Sequence, residues 1–205
     1  MLGIARDLFW NKSQVTTDAR RRRYGQVGRV VWFTGLSGAG KSTIANELER
    51  QLYQMGRHVY LLDGDNLRQG LCSDLGFSAT DRTENIRRVA EVAKLFADAG
   101  FICLAAFISP RRSDRDRARS LLPAGHFLEI HVSTPVAVCR QRDPKGLYVR
   151  ADRGELKDFT GVSAPYEPPL RAELVLHPER DSVATSVMQV LTTLGENVDD
   201  GAVHI

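Results

Sequence analysis

The segment from Gly35 to Ser42, Gly-Leu-Ser-Gly-Ala-Gly-Lys-Ser, matches the phosphate-binding pattern G-x-x-x-x-G-K-[ST]. It directly follows the apolar run 30–33, which is typical of a buried strand. The glycines let backbone N–H groups close around a phosphate chain without a Cβ in the way. Lys41 adds a charge for the terminal phosphates, and Ser42 offers a hydroxyl to Mg²⁺. The pattern therefore predicts a nucleoside triphosphate site.

The residues after this loop predict a helix from Thr43 to Met55, because apolar residues recur on one face and Gly56 is placed to end it. The positive N-terminal end of a helix attracts anions, so this helix would face the bound phosphates. The predicted nucleotide-binding residues are Gly35, Leu36, Ser37, Gly38, Ala39, Gly40, Lys41, Ser42 and Thr43.

Two carboxylates and an arginine follow the next predicted strand, 59–62. Asp63 and Asp65 flank a glycine, and Arg68 comes three residues later. Ligands gather at the carboxyl ends of parallel strands, so these side chains should lie beside the phosphate loop. A lone acid here would be an ordinary helix cap, but the grouping favours a functional role. Asp63 could orient or deprotonate an acceptor hydroxyl, or help to hold Mg²⁺ through water.

A third apolar strand, 101–108, ends at Ser109 and Pro110. Switch and motor NTPases often carry a metal-binding acid at such a strand end, and its absence here leaves that role to Asp63 or to no residue. Ser109 is either a turn residue that binds backbone or part of the acceptor site.

A predicted helix starting near Asp81, which has a capping-box partner three residues later, carries Arg82, Asn85 and Arg88 close to Phe77. Their three-residue spacing can place these donors on one face. Arginine forks beside an aromatic ring suit an acceptor that is itself a nucleotide-like anion.

Residues 140–162 form a basic, glycine-punctuated stretch without a strong apolar period. This composition predicts a mobile lid that brings cations to the transferring group and excludes water. Asp143 to Gly146 also matches the D-x-x-G of GTPase switches, but it lies about a hundred residues after the phosphate loop. We interpret that match as accidental.

Strands alternate with amphipathic helices, with further strands at 127–132 and 174–176 and a last helix from about Ser182. The alternation predicts an α/β fold, a P-loop kinase-like three-layer sandwich with a mostly parallel sheet and helices on both faces. We expect an N-terminal extension at 1–28, one domain at 29–196 and a frayed tail at 197–205.

Composition narrows the class of protein. Lys and Arg outnumber Asp and Glu only by 28 to 25, which argues for neither a nucleic-acid nor a membrane partner. The cluster 20–23 of four arginines is interpreted as a solvated helix face. Three widely spaced cysteines without a C-x-x-C pair suit a reducing compartment, and no signal peptide or membrane-spanning run is evident. A cytoplasmic location is expected.

Together these motifs resemble the adenylylsulfate kinase family over about residues 15–177. The matching strings are 33–43, 63–66, 81–88, 107–110, 142–148 and 159–161. Only the phosphate loop is common to many nucleotide binders. The resemblance implies an enzyme that transfers the γ-phosphate of ATP to the 3′-hydroxyl of adenosine 5′-phosphosulfate (APS). The products would be 3′-phosphoadenosine 5′-phosphosulfate and ADP, in sulfate assimilation.

The resemblance also implies residue roles. Lys41, Asp63 and Ser109 are the catalytic candidates, and Ser42 with Asp63 would hold Mg²⁺. Ser109 aligns with a serine often described as a phosphorylated intermediate, although direct in-line transfer needs no protein nucleophile. The acceptor-binding candidates are Asp63, Asp65, Arg68, Phe77, Arg82, Asn85, Ile108, Ser109, Lys145 and Phe159, with Lys145 and Phe159 in the lid. Val149 and Asp152 depart from the basic pattern usual after Tyr148.

Three alternatives stay open at this point. The first is another small-molecule P-loop kinase, for a nucleoside monophosphate or a sugar acid, and the second is a non-catalytic ATP-binding regulatory module. The third is a nucleic-acid binder that uses the arginines of 20–23, with steeply salt-dependent binding. Family members are often dimers, so a homodimer is an expectation by analogy. A functional link to an ATP sulfurylase is an expectation of the same kind.

Overall fold

The computed structural model describes residues 9, 11 and 13–196. Its five strands form one sheet, in the order β2-β3-β1-β4-β5, and every neighbouring pair is parallel. The strands are β1 (Arg29–Thr34), β2 (Val59–Asp63), β3 (Ile102–Ala106), β4 (Phe127–Val132) and β5 (Leu174–Leu176). β1 occupies the centre, so the loop that follows it lies in the middle of the sheet's carboxyl edge.

Helices cover both faces of the sheet, and β1 shows why. Its alternate side chains are fully buried in two separate cores: Val31 and Phe33 face one, Val30 and Trp32 the other. The helices are α1 (Thr17–Tyr24), α2 (Lys41–Gln54), α3 (Gly64–Arg68), α4 (Ala79–Asp98), α5 (Arg112–Ser120), α6 (Val136–Arg142), α7 (Leu147–Asp152) and α8 (Val183–Leu194). Helices α2 and α8 pack on the first core, and α4 and α5 on the second. The predicted three-layer α/β architecture is confirmed.

Helix α4 begins earlier than expected. Ser78 is the N-cap: its Oγ accepts from the N–H of Asp81 at 3.1 Å and donates to the Asp81 carboxylate at 2.8 Å. The helix therefore starts at Ala79, two residues before Asp81, and its cap is Ser78 instead of the expected Asp81. Two overlapping capping patterns are present in the sequence, and the earlier one is used.

The segment before β1 packs on the domain. The four arginines of 20–23 lie on α1, where residues 21–23 are exposed. Tyr24 packs beside His58 at a ring distance of 4.8 Å. The buried side chain of Gln26 donates to the carbonyls of His58 and Gly100. The predicted tail at 197–205 lies outside the described residues.

No helix in the described part of the chain combines the length and the apolar character needed to cross a bilayer.

Candidate active site

The phosphate loop joins β1 to α2 and wraps around one lysine. Gly38 and Gly40 have φ of 74° and 106°, values that residues with a Cβ rarely adopt. The Nζ of Lys41 donates to the carbonyls of Gly35 at 3.0 Å and Leu36 at 2.7 Å. The loop therefore holds an ammonium group at the N-terminus of α2, where the helix also favours anions.

Burial changes the acidity of this lysine. Lys41 is buried, and the loss of water around its ammonium lowers its pKa to about 8. The group is still mostly charged at pH 7. Phosphate oxygens placed beside it would favour the charged form and raise that pKa again.

Ser42 and Asp63 form an oxygen pair beside the loop. The Ser42 Oγ donates to Oδ2 of Asp63 at 2.7 Å, while Oδ1 accepts from the N–H of Asp65 and caps α3. Within the described residues no group of three or more His, Cys, Asp or Glu could hold a metal. Mg²⁺ is usually held by one or two carboxylates together with phosphates and water. The pair therefore fits a metal ion that is shared with a nucleotide.

A cleft of about 1140 Å³ opens at this edge of the sheet, slightly above the roughly 300–1,000 Å³ of a typical ligand pocket. All ten of the predicted acceptor-binding residues line it. Of the predicted nucleotide-binding residues, Gly35, Leu36 and Ala39 do not line it. The first two instead direct their carbonyls at Lys41. The cleft has room for more than one small ligand.

The far end of the cleft carries donors for a second anion. The Arg68 guanidinium lies 4.3 Å from the centre of the Phe77 ring, which is largely exposed. Arg82 donates to the carbonyl of Phe77 and to the Thr160 hydroxyl. The Nδ2 of Asn85 is buried and lacks a hydrogen-bond partner in the described part of the chain. The neighbouring Cys72 thiol is at most a weak acceptor, so this amide suits a ligand with an acceptor oxygen.

Arg88 does not join this group. Its guanidinium binds Asp74 at 2.6 Å and Glu84 at 2.9 Å, away from the cleft. The expectation that it shares a face with Arg82 is wrong, because each three-residue step falls about 60° short of a full helical turn. Two steps place Arg88 about 120° around α4 from Arg82.

Ser109 is buried at the acceptor end. Its Oγ accepts from Nε1 of Trp32 at 3.0 Å, and its carbonyl accepts from Nη1 of Arg115 at 2.6 Å. Among the described residues neither a carboxylate nor an imidazole forms a hydrogen bond with this Oγ. The side chain thus lacks the neighbouring base that a serine nucleophile needs.

The predicted lid, 140–162, is more regular than its sequence suggests, because it includes the short helix α7. The Asp143 carboxylate accepts from the N–H groups of Tyr148 and Val149, so the D-x-x-G match is part of a helix start. The Tyr148 hydroxyl donates to the Ser37 carbonyl at 3.0 Å, and its ring meets the edge of Phe159. The base of the lid is therefore attached to the phosphate loop.

Outer parts of the lid are held by exposed charges. Lys145 pairs with Asp65 across the cleft. Asp152, one of the two departures from the family pattern, pairs with Arg140 at 2.6 Å. Val149, the other, is half exposed. Exposed pairs of this kind contribute about 0–1 kcal/mol and open readily.

Sequence reasoning missed one wall of the cleft. Arg142, Pro178, Asp181 and Val183 line it beside the phosphate loop, and the Arg142 guanidinium donates to the Pro178 carbonyl at 2.8 Å. Arg142 belongs to the predicted lid and to the matching string 142–148, but it was given no role, and the other three residues lie in no recognised motif. The rule that ligands gather beyond strand ends would have pointed to them if it had been applied to β5 as well.

A phosphate loop after the central strand of a parallel sheet, an oxygen pair suited to Mg²⁺ and arginine and amide donors across the same cleft are the features of P-loop small-molecule kinases. The family model of adenylylsulphate kinase matches residues 27–177. The chain belongs to this family, whose members are phosphotransferases with an alcohol group as acceptor. The predicted family is confirmed.

Relatives support this assignment. An adenylyl-sulfate kinase of Shewanella denitrificans is 57% identical over 188 residues, with 92% of each chain covered. The structure of the Mycobacterium tuberculosis APS kinase CysC in complex with AMPPNP and APS is 45% identical, with a TM-score of 0.80 over 83% of this chain and 99% of that one. A hexameric APS kinase from Thiobacillus denitrificans is 33% identical, with a TM-score of 0.65 over 87% and 31%.

Proposed function

We propose that this chain transfers the γ-phosphoryl group of ATP to the 3′-hydroxyl of APS. The observation that carries the proposal is that one cleft joins the Lys41 loop to the donors Arg68, Arg82 and Asn85, whose Nδ2 lacks a geometric hydrogen-bond partner among the described residues. The M. tuberculosis relative, which was solved with AMPPNP and APS, supports the same pair of ligands.

On the donor side, the backbone N–H groups of 35–43 would bind the phosphates, and Lys41 would balance their charge. Ser42 and Asp63 would hold Mg²⁺. When bound, Mg²⁺ neutralises charge on the β- and γ-phosphate oxygens. Arg142 and Pro178 lie beside the loop, where the remainder of the nucleotide would extend.

On the acceptor side, we assign Phe77 to stacking on the adenine, and Arg68 and Arg82 to the anionic phosphosulfate. Asn85 would donate its free Nδ2 to an acceptor oxygen. Ile108, Ser109 and Asp65 also line the cleft.

The chemical step requires a proton acceptor, and Asp63 is the carboxylate adjacent to the phosphate loop. It would orient the 3′-hydroxyl and accept its proton as the oxygen bonds to the γ-phosphorus. The bond from that phosphorus to the β,γ-bridging oxygen breaks, and ADP leaves. Ser109 takes no phosphoryl group in this scheme.

Lid residues 140–162 would close over both ligands. Lys145 would exchange its weak pairing with Asp65 for the substrate anions, at little cost because that pair is exposed. Because Tyr148 contacts both the phosphate loop and Phe159, a change of the loop on ATP binding would shift the lid residues as well.

The decisive experiment measures ADP release from Mg-ATP with and without APS, with the nucleotide products separated. We expect APS-dependent ADP and a 3′-phosphorylated product. ATP binding without APS-dependent release would instead indicate a regulatory module. Faster turnover of a nucleoside monophosphate or a sugar acid would assign a different acceptor.

A second measurement tests the role of Ser109. We expect Ser109→Ala to keep turnover within about tenfold of the parent enzyme, since its Oγ contacts only an indole N–H in the described part of the chain. Loss of all turnover, together with a phosphoserine trapped in the parent enzyme, would establish a phosphorylated intermediate.

We also propose the assembly and setting of the enzyme. The hexameric relative supports an oligomer, and we propose a homodimer, which light scattering coupled to gel filtration would test. Three buried cysteines support a reducing cytoplasm. Because APS must be supplied by adenylyl transfer to sulfate, we propose a functional link to an ATP sulfurylase.

A further inference from the structure

Ser109 has an unusual backbone conformation at the acceptor end of the cleft. Its φ is 38°, in the positive region that residues with side chains seldom adopt, and it is 2% exposed. Such conformations persist only where the surrounding structure over-determines them. Groups outside the cleft must therefore hold this residue.

Arg115 of α5 makes the shortest side-chain hydrogen bond to it. Its Nη1 donates to the Ser109 carbonyl at 2.6 Å, its Nη2 to the Glu167 carbonyl at 2.7 Å and its Nε to Oε1 of Glu129 at 2.6 Å. The side chain is 2% exposed and is not among the residues that line the cleft. One guanidinium thus joins the acceptor loop, the segment around Glu167 and strand β4.

The charge of this guanidinium is balanced beneath the loop. Glu129 is also buried, and its second oxygen accepts from Arg119 at 3.3 Å. A buried ion pair seldom stabilises a protein more than apolar packing would. The guanidinium of Arg115 donates to three acceptors in fixed directions, and an apolar side chain could not replace these hydrogen bonds.

Other contacts fix the residues on either side. Thr34 donates to the Ile108 carbonyl at 2.8 Å, and the N–H of Glu167 donates to the Pro110 carbonyl at 2.9 Å. Arg115 holds the carbonyl between them, and Trp32 holds the Ser109 hydroxyl. The loop 108–110 is thereby held from behind at each residue.

We propose that Arg115 is a positioning residue of the acceptor site, which acts through the Ser109 carbonyl and does not touch substrate. It keeps Ser109 in the left-handed conformation and so sets where Ile108 and Ser109 meet the acceptor. The inference rests on the proposed function, because it takes loop 108–110 as part of the APS site.

Steady-state kinetics of Arg115→Lys test this role, since a lysine keeps the charge but not the fork. We expect the KM for APS to rise about tenfold while the KM for ATP stays within about twofold. The matched control is Arg119→Lys, one helical turn away, which binds Glu129 and Glu173 but not Ser109. Its KM for APS should not change. An unchanged KM for APS in Arg115→Lys, equal rises for both substrates, or the same rise in the control would overturn the proposal.

A measurement without substrate separates this proposal from the proposed function. The chain has two tryptophans, so a Trp10→Phe background leaves Trp32, which bonds to Ser109, as the sole fluorophore. Arg115→Lys should increase acrylamide quenching of this buried indole at least twofold, whereas Arg119→Lys should not. Equal quenching in both variants refutes the positioning role. If the parent enzyme does not turn over APS, the proposed function is refuted, but the positioning role of Arg115 is still tested by the quenching measurement.

A folding failure of Arg115→Lys would not end the test. Arg115→Gln combined with Glu129→Gln removes both buried charges together, so no unpaired charge stays behind. A glutamine amide cannot reach all three acceptors. We therefore expect this double variant to show the rise in the KM for APS and in acrylamide quenching that is expected for Arg115→Lys. Parent-like values for both quantities would refute the role.

Discussion

Asp63 serves two purposes with one carboxylate. Oδ1 caps α3, while Oδ2 faces the Ser42 hydroxyl beside the phosphate loop. The structure is thus compatible with both interpretations of this acid, as a helix cap and as a residue that faces the acceptor hydroxyl and Mg²⁺. An asparagine could keep the cap with its carbonyl oxygen but could not accept a proton.

Asp63→Asn should therefore lower kcat by about 100-fold or more and leave the Kd for ATP within about threefold. Rapid-quench turnover and calorimetric ATP binding measure the two quantities. Asp74→Asn, which alters an aspartate that binds Arg88 outside the cleft, is the control and should leave both unchanged. Near-normal turnover of Asp63→Asn would refute the proton-acceptor role.

The lowered pKa of Lys41 predicts a pH dependence of binding. Its pKa of about 8 in the protein lies below the 10.5 of an exposed lysine. Burial of the charged group therefore lowers the free energy of unfolding, and this loss has its full size below pH 8. The cost is relieved as the pH rises from 8 to 10.5, where the unfolded chain binds more protons.

In the proposed role, Lys41 must be charged to bind the phosphates of ATP. The affinity for ATP should therefore stay constant up to about pH 8 and weaken above it. Calorimetry at pH 8.5 in two buffers of different ionisation enthalpy should show uptake of roughly half a proton or more on ATP binding. Lys41→Arg stays charged at this pH and should take up none. Absence of uptake by the parent enzyme would show that Lys41 is already protonated in the free loop.

At the level of elements, α7 connects the lid to the phosphate loop. The Tyr148 hydroxyl is the link, since it donates to the Ser37 carbonyl while its ring packs on Phe159. Helix α7 begins at Leu147, and the Asp143 carboxylate accepts hydrogen bonds from the N–H groups of Tyr148 and Val149 in its first turn. The helix direction and the tyrosine position are therefore set together.

Tyr148→Phe should weaken ATP binding by about threefold to tenfold, the effect of one neutral hydrogen bond, without loss of the ring packing. The control is Val149→Ala, because this neighbouring side chain is half exposed. Equilibrium dialysis with labelled ATP measures both. Equal affinities in the two variants would contradict a connection between the lid and the loop.

At the scale of the whole molecule, the cleft spans both cores. Helix α2 and the lid residues Tyr148 and Phe159 belong to one, whereas Ile86 of α4 and Phe107 belong to the other. A ligand in the cleft therefore contacts elements of both cores, and its binding should stabilise both.

Mg-ATP at about 100 times its Kd should add about 2.7 kcal/mol to the free energy of unfolding and raise Tm by about 5–10 °C. Differential scanning fluorimetry measures the shift. Lys41→Ala should abolish most of it, and EDTA should reduce it because Ser42 and Asp63 then lack the shared metal ion. A parent enzyme without any shift at this concentration would contradict nucleotide binding at the loop.

The sequence by itself determined the local chemistry of this protein. The phosphate loop, the strand before it and the acids after β2 were predictable because glycine spacing, apolar runs and charges act on near neighbours in the chain. Motif order was enough to identify the family. The cap of α4 and the direction of Arg88 were missed within a few residues, since two caps competed and a three-residue period drifts around a helix.

Only the tertiary structure decided which distant residues meet. The strand order β2-β3-β1-β4-β5 and the wall at Pro178 follow from packing, not from any local pattern. The contacts of Arg115 join residues that lie 6, 14 and 52 positions away. A buried guanidinium looks the same in a sequence as an exposed one. Its partners become known only once the strands and the segments around them are placed, because burial and hydrogen-bond direction are properties of the folded chain.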